Sequence, residues 1–312
     1  MFIVNLSGTF EKGYMSGRSY FLYEPSHLEE GKTYPLVVML HGCNQSAEEF
    51  ARATKMNEVA EEEAFFVLYP EQSQWANPRK CWNWFETYHQ KRKRGEPMMI
   101  ANMVRGVERL YPVDSSRIYV AGLSAGGAMS VIMGATYPDL FAAVGVSAGL
   151  EYGAATNILE SVQAMERGGP SAKVQGVKAY EAMKEYARPV PLMVFHGDED
   201  KRVHVVNSDQ IIIQWCRMNN LAALHENEGW IDDETDYIST HTSLRGRSYT
   251  RYVYKNKNDV SWLEKVIVHK MGHCWAGGSG SEKYTDSSGP NASKMLWNFL
   301  KQWKIPSNSV NE

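Results

Sequence analysis

Ile118-Tyr119-Val120-Ala121-Gly122-Leu123-Ser124-Ala125-Gly126-Gly127-Ala128-Met129 is the stretch that decides the fold. The apolar run Ile118–Ala121 enters a turn of small residues, and a helical pattern follows over Ala125–Thr136. A G-x-S-x-G match placed between strand and helix has the context of a nucleophile elbow. The glycines let backbones approach where a Cβ would collide. Ser124 then stands above the carboxyl edge of a sheet, and the following helix offers its N–H groups and positive dipole end to a developing oxyanion. The blander reading of the same residues is a glycine-rich βα turn that holds a phosphate or nothing.

Outward from this turn, short apolar runs alternate with longer amphipathic stretches. Leu36–Leu40, Phe65–Tyr69, Ala142–Val146, Leu192–Phe195 and Val266–Val268 read as strands, several of them apolar on consecutive residues. That pattern belongs to parallel strands covered on both faces. Lys55–Glu63, Met98–Leu110, Val206–Met218 and Ser293–Trp303 read as helices. The alternation predicts an α/β fold with a mostly parallel central sheet and helices on both faces. Gly17–Tyr23 reads as an antiparallel strand ahead of the parallel core. Two segments break the rhythm. Glu151–Arg188 is either a cap-like insertion over one end of the sheet or a surface excursion, and Ala222–Lys257 is polar before it turns into an alternating strand at Ser248–Tyr254. With no internal repeat and no low-complexity linker, residues 1–312 are expected to form one domain.

Composition narrows the function classes. Of 312 residues, 43% are hydrophobic and 22% charged, which fits a soluble globular chain and excludes disorder or a coiled coil. The net charge of −3 supplies no basic field, so neither nucleic acid nor an anionic membrane is expected as partner, and Lys91–Arg94 reads as a solvated loop. No run approaches the ~18 apolar residues of a membrane span. The N-terminus has no basic region followed by an apolar core, so it does not read as a secretory signal. Location is left open between the cytoplasm and a secreted form whose leader has been removed. The four cysteines show no C-x-x-C spacing, and neither a metal nor a cofactor is called for.

A serine hydroxyl is a weak nucleophile unless a base takes its proton and an acid orients that base. In this architecture the chain order is Ser, acid, His. Leu192–Phe195 runs into His196-Gly197-Asp198-Glu199-Asp200, which makes the acid position credible and leaves its assignment open. Val266–Val268 leads to Met271-Gly272-His273-Cys274-Trp275, and His273 alone among nine histidines has the required order, strand and neighbouring glycine. After Leu36–Leu40 comes His41-Gly42-Cys43-Asn44-Gln45. The amides of Cys43 and Ala125 are the candidate oxyanion hole, and His41, which precedes the serine, is read as support for that loop.

Together HGCNQ (41–45), CWNWF (81–85), GLSAGGAM (122–129), HGDEDKRV (196–203) and MGHCWAGG (271–278) resemble the polyhydroxybutyrate depolymerase family of esterases. That family is related to feruloyl and acetylxylan esterases on the α/β-hydrolase fold, and the likeness covers roughly residues 14–303. It implies Ser124 as nucleophile, His273 as general base, Asp200 as the acid, and Cys43 and Ala125 as oxyanion donors. Two departures are expected: members of that family often add a separate substrate-binding module, which residues 1–312 are expected to lack, and Cys274 stands where the family commonly has alanine. A disulfide between Cys43 and Cys81 is implied as well, against the alternative of two buried thiols. A second bridge between Cys216 and Cys274 is left open, since four cysteines allow three pairings and the sequence does not choose among them.

The resulting expectation is a serine esterase that hydrolyses short-chain neutral esters through an acyl-enzyme, its partner a small ester or oligoester. The alternative is a feruloyl or acetylxylan esterase acting on plant polysaccharide. A serine peptidase, an acyltransferase or a non-catalytic binding protein of the same fold stands behind both. Trp82, Trp84 and Trp275 lie in motifs at one sheet edge and are expected to form an aromatic wall for the substrate. Ordinary core is the competing reading for each. No cluster of Arg or Lys accompanies them, which favours a neutral substrate.

Overall fold

The computed structural model describes residues 6–224 and 229–306. The first residues of the leader reading, the tail beyond 306 and part of the polar stretch 222–257 lie outside the described residues. In chain order the elements are β1 (Thr9–Met15), β2 (Arg18–Glu24), β3 (Tyr34–Leu40), α1 (Ala47–Thr54), α2 (Met56–Glu63), β4 (Phe66–Pro70), α3 (Gly95–Leu110), β5 (Val113–Leu123), α4 (Ala125–Thr136) and β6 (Ala143–Ser147). They continue with α5 (Ile158–Arg167), α6 (Ala172–Met183), β7 (Leu192–Gly197), α7 (Val206–Leu224), β8 (Tyr237–Thr242), β9 (Ser248–Lys255), β10 (Ser261–Val268), the short pair β11 (Trp275–Ala276) and β12 (Thr285–Asp286), and α8 (Ala292–Leu300).

Ten strands form one sheet in the order β1-β2-β4-β3-β5-β6-β7-β10-β9-β8. From β4 to β10 all neighbours are parallel, and an antiparallel pair closes each edge. The consecutive apolar residues of the central strands serve both faces, as pleating requires. Leu36, Val38 and Leu40 join Val120, α3, α4 and α7 in one core cluster. Val37 and Met39 join Tyr119, α1, α2 and α8 in the other. Every predicted central strand is present.

Five elements were not foreseen: α1, β1, β8 and the short pair β11 and β12. Helix α1 begins with a capping box, in which Ser46 Oγ accepts from the Glu49 amide and Glu49 returns the bond to the Ser46 amide. Strands β1 and β8 are exposed sheet edges with little apolar alternation. Within 151–188, α6 packs against α4 and α7 on the flank of the sheet, and no residue of this excursion lines the cavity over Ser124.

Glu151, just past β6, has a consequence for stability. Its carboxyl is buried, its Oε1 has no hydrogen-bond partner among the described residues, and its Oε2 is 3.5 Å from Gln214 Nε2. Burial pushes its pKa up to about 8, with Lys178 opposing. The folded protein holds the proton where the unfolded chain releases it, so stability falls as pH rises from the ordinary value to about 8 and is level beyond. Glu151→Gln is expected to raise Tm at pH 9 by on the order of 5 °C and to leave it unchanged at pH 4. Equal shifts at both pH values in a thermal melt would contradict this.

Candidate active site

The turn after β5 is strained. Ser124 adopts φ +59° and ψ −119°, a region that non-glycine residues avoid. The surroundings hold it there. Ser124 N–H donates to the Ser147 carbonyl at 2.9 Å, and its carbonyl accepts from Ala128 N–H at 2.9 Å. A side chain on Gly122 would overlap the backbone of Gly126, and one on Gly126 would overlap the Leu40 carbonyl, so the crossing of β5, α4 and β3 needs glycine at both positions.

The loops after β7 and β10 meet at Asp200 and His273. His273 Nδ1 donates to Asp200 Oδ2 at 2.7 Å, with the carboxylate fully buried and the imidazole nearly so. Asp200 Oδ1 accepts the amides of Arg202 at 2.8 Å and Val203 at 3.0 Å, and His196 Nε2 lies 3.4 Å from Oδ2. Burial alone would raise the Asp200 pKa, but hydrogen bonds from His196 and His273, the His273 charge and the Val203 amide outweigh it. The group therefore sits well below the usual carboxylate range. Asp198 points elsewhere: it accepts from His269 Nδ1 at 2.8 Å and from the Lys270 amide at 2.6 Å.

Ser124 and His273 line one small cavity of about 30 Å³ with Gly42, Cys43, Gln45, Leu123, Arg202 and Tyr284. The Ser124 hydroxyl does not hydrogen-bond His273 here, and such contacts commonly tighten only when substrate seats. The Cys43 amide has no acceptor among the described residues, and the Ala125 amide opens α4, where intrahelical partners are missing. Gln45 Oε1 accepts the Gly42 amide at 2.9 Å and shapes the loop.

The loop after β3 is anchored from the side. Cys43 and Cys81 form a disulfide. Trp82 Nε1 donates to the His41 carbonyl at 3.1 Å, and the Gln72 amide donates to His41 Nε2 at 3.0 Å. His41 Nδ1 is the proton-bearing nitrogen, 2.8 Å from the Gly42 carbonyl, and burial pushes this ring down to about 4, so it stays neutral. Buried Glu96 ties Gln72 to Asn83 beneath the loop. The second cysteine pair is absent. Cys216 is buried and donates to the Asp232 carbonyl, and burial pushes the Cys274 thiol up to about 11.

The aromatic wall is not formed by the expected residues. Trp82 and Trp275 are 0% and 1% exposed and Trp84 is 5% exposed, so all three belong to the core. Their indole and backbone groups are committed inward: Trp275 Nε1 donates to Ser293 Oγ at 3.1 Å, and the Trp84 carbonyl accepts from Gln90. Tyr284 supplies the aromatic surface instead, its ring centroid 6.3 Å from that of His273. It lies in a Gly- and Ser-rich stretch with no periodic signal. No cluster of cations surrounds the cavity, but one guanidinium, that of Arg202, lines it.

This geometry has relatives. The family model described as Esterase PHB depolymerase matches residues 18–228. Poly(3-hydroxyalkanoate) depolymerase C of Paucimonas lemoignei is 32% identical over 241 residues, 77% of this chain and 54% of that protein. The protein named Probable acetylxylan esterase A from Neosartorya fischeri is 31% identical over 210 residues, 64% of this chain and 55% of its own length. The chain thus spans about half the length of these curated relatives. An acetyl xylan esterase structure from Aspergillus awamori superposes with a TM-score of 0.71 at 20% identity, covering 94% of this chain and 99% of that one. That likeness shows the fold, which is the α/β-hydrolase fold. With more than half of its length matched and its motifs in order, the chain belongs to the Esterase PHB depolymerase family.

Proposed function

We propose that the protein is a serine carboxylic ester hydrolase working through an acyl-enzyme. The observation that carries this reading is one cavity holding Ser124, on its strained turn, beside His273, which is bonded to a buried carboxylate. Ser124 Oγ attacks the ester carbonyl while His273 Nε2 takes its proton. Asp200 fixes the tautomer by accepting from Nδ1 and stabilises the imidazolium that forms. The amides of Cys43 and Ala125 receive the oxyanion, and the alcohol leaves with the proton from His273. Water then attacks the acyl group by the same route, restoring Ser124. The described residues act as one catalytic unit in which the excursion 151–188 flanks the sheet.

The lining of the Ser124 cavity, in which Leu123 is the one large aliphatic side chain, supports short acyl groups, neutral at the scissile end. The matched depolymerase supports hydroxyalkanoate oligoesters as the first substrate class, and the acetylxylan relative supports acetyl esters of polysaccharide as the second. A kcat/KM series over p-nitrophenyl C2 to C12 esters is expected to peak at C2–C4 and fall steeply beyond C6. A maximum at C10–C12 would overturn the short-chain assignment, and no turnover of any ester would overturn the reading as a whole. Hydroxybutyrate trimer against acetylated xylan separates the two substrate classes.

A further inference from the structure

We propose that Arg202 makes this site selective for esters whose alcohol portion carries a carboxylate; the inference rests on the esterase reading above. Among the residues that line the Ser124 cavity, Arg202 carries the one permanently charged side chain. Its guanidinium lies over the Tyr284 ring, 5.1 Å from the centroid, and its own amide donates to Asp200 Oδ1 at 2.8 Å. The main chain of Arg202 is therefore fixed to the acid of the site while its head group lies on an aromatic face. Stacking of this kind orders the guanidinium and leaves its edge N–H donors available.

The acidic groups nearby have other partners. Asp200 is bonded to His273 and backbone amides, Asp198 to His269, Asp286 to Arg247 and Glu282 to Arg52. No ion pair of Arg202 with an acidic side chain is present among the described residues. Arg202 is exposed at the rim of the reaction cavity, where its guanidinium stands open to an anionic group carried by the substrate. A guanidinium fork matches a carboxylate in both charge and shape.

The position also selects which half of the ester carries the charge. The oxyanion amides belong to the Cys43 and Ala125 side of the cavity. Arg202 and Tyr284 belong to the His273 side, where the leaving oxygen takes its proton. Tyr284 is held in place by its carbonyl, which accepts the Trp275 amide at 2.7 Å two residues beyond His273. The alcohol fragment departs past these two side chains. A leaving hydroxy acid would carry its carboxylate to the guanidinium as the acyl–oxygen bond breaks.

The test compares 3-acetoxypropanoate with its amide, 3-acetoxypropanamide, a pair equal in shape and different in charge. The wild-type protein is expected to favour the acid by about tenfold to a hundredfold in kcat/KM, the range of one charge-assisted hydrogen-bond pair. This ratio should shrink as sodium chloride rises from 50 to 500 mM. It should approach unity in Arg202→Gln, remain above unity in Arg202→Lys, and fall below unity in Arg202→Glu. A wild-type ratio at or below unity, or a ratio unchanged in Arg202→Gln, overturns the inference. Wild-type turnover of p-nitrophenyl acetate accompanies every assay. If that turnover is present without carboxylate preference, the Arg202 inference alone fails, whereas its absence removes the esterase reading itself.

Discussion

Replacing Ser124 with alanine is expected to lower kcat on p-nitrophenyl acetate by ~10⁶-fold, leaving only what the oxyanion amides and binding sustain. The size of the loss follows from the division of labour. His273 has nothing to activate once the hydroxyl is gone, so removing the serine silences base and acid together. Folding should survive, because the Ser124 side chain makes no capping bond to α4 and the turn is held by backbone contacts. Circular dichroism checks the fold, and turnover within tenfold of wild type would remove Ser124 from the mechanism.

Asp200→Asn is expected to cost ~10⁴-fold in kcat, the scale seen when a triad acid loses its charge. The amide can no longer accept the His273 Nδ1 proton and stabilise the imidazolium at once. Asp198→Asn should cost far less, since Asp198 is bonded to His269 and the Lys270 amide on the outer side of the same turn. Steady-state kinetics on both variants rank them. The reverse order would assign the acid to Asp198.

These two aspartates mark where the sequence stops being legible. The elbow at Ser124 and the loop bearing His273 could be read because each follows an apolar strand and carries glycine, signals that local sequence contains. Three acidic residues in the turn 198–200 offer no such distinction. The family resemblance chose Asp200 over Asp198, and the physical difference between them is the packing of His196 and Val203 around Asp200 and of His269 around Asp198. The tryptophans failed for another reason. Motif position reveals which loop a residue belongs to, but not whether its indole turns toward solvent or toward a buried acceptor such as the His41 carbonyl. Helix α1 was within reach, since Ser46 and Glu49 spell its capping box. The edge strands β1 and β8 were not, because their exposed residues have no face to hide and so leave no alternation. Tyr284 and Arg202 enter the cavity through long-range pairing that no local pattern encodes.

The strand order of the sheet gives the site a left and a right. Strand β3 carries the oxyanion loop on one side of the serine strand β5, and β7 and β10 carry acid, base and Arg202 on the other. In the proposed mechanism, charge stabilisation draws on the loop after β3 and the start of α4, and proton handling on the loops after β7 and β10. Divergence could retune the right-hand wing toward new alcohols while the clamped left-hand wing is left as it stands.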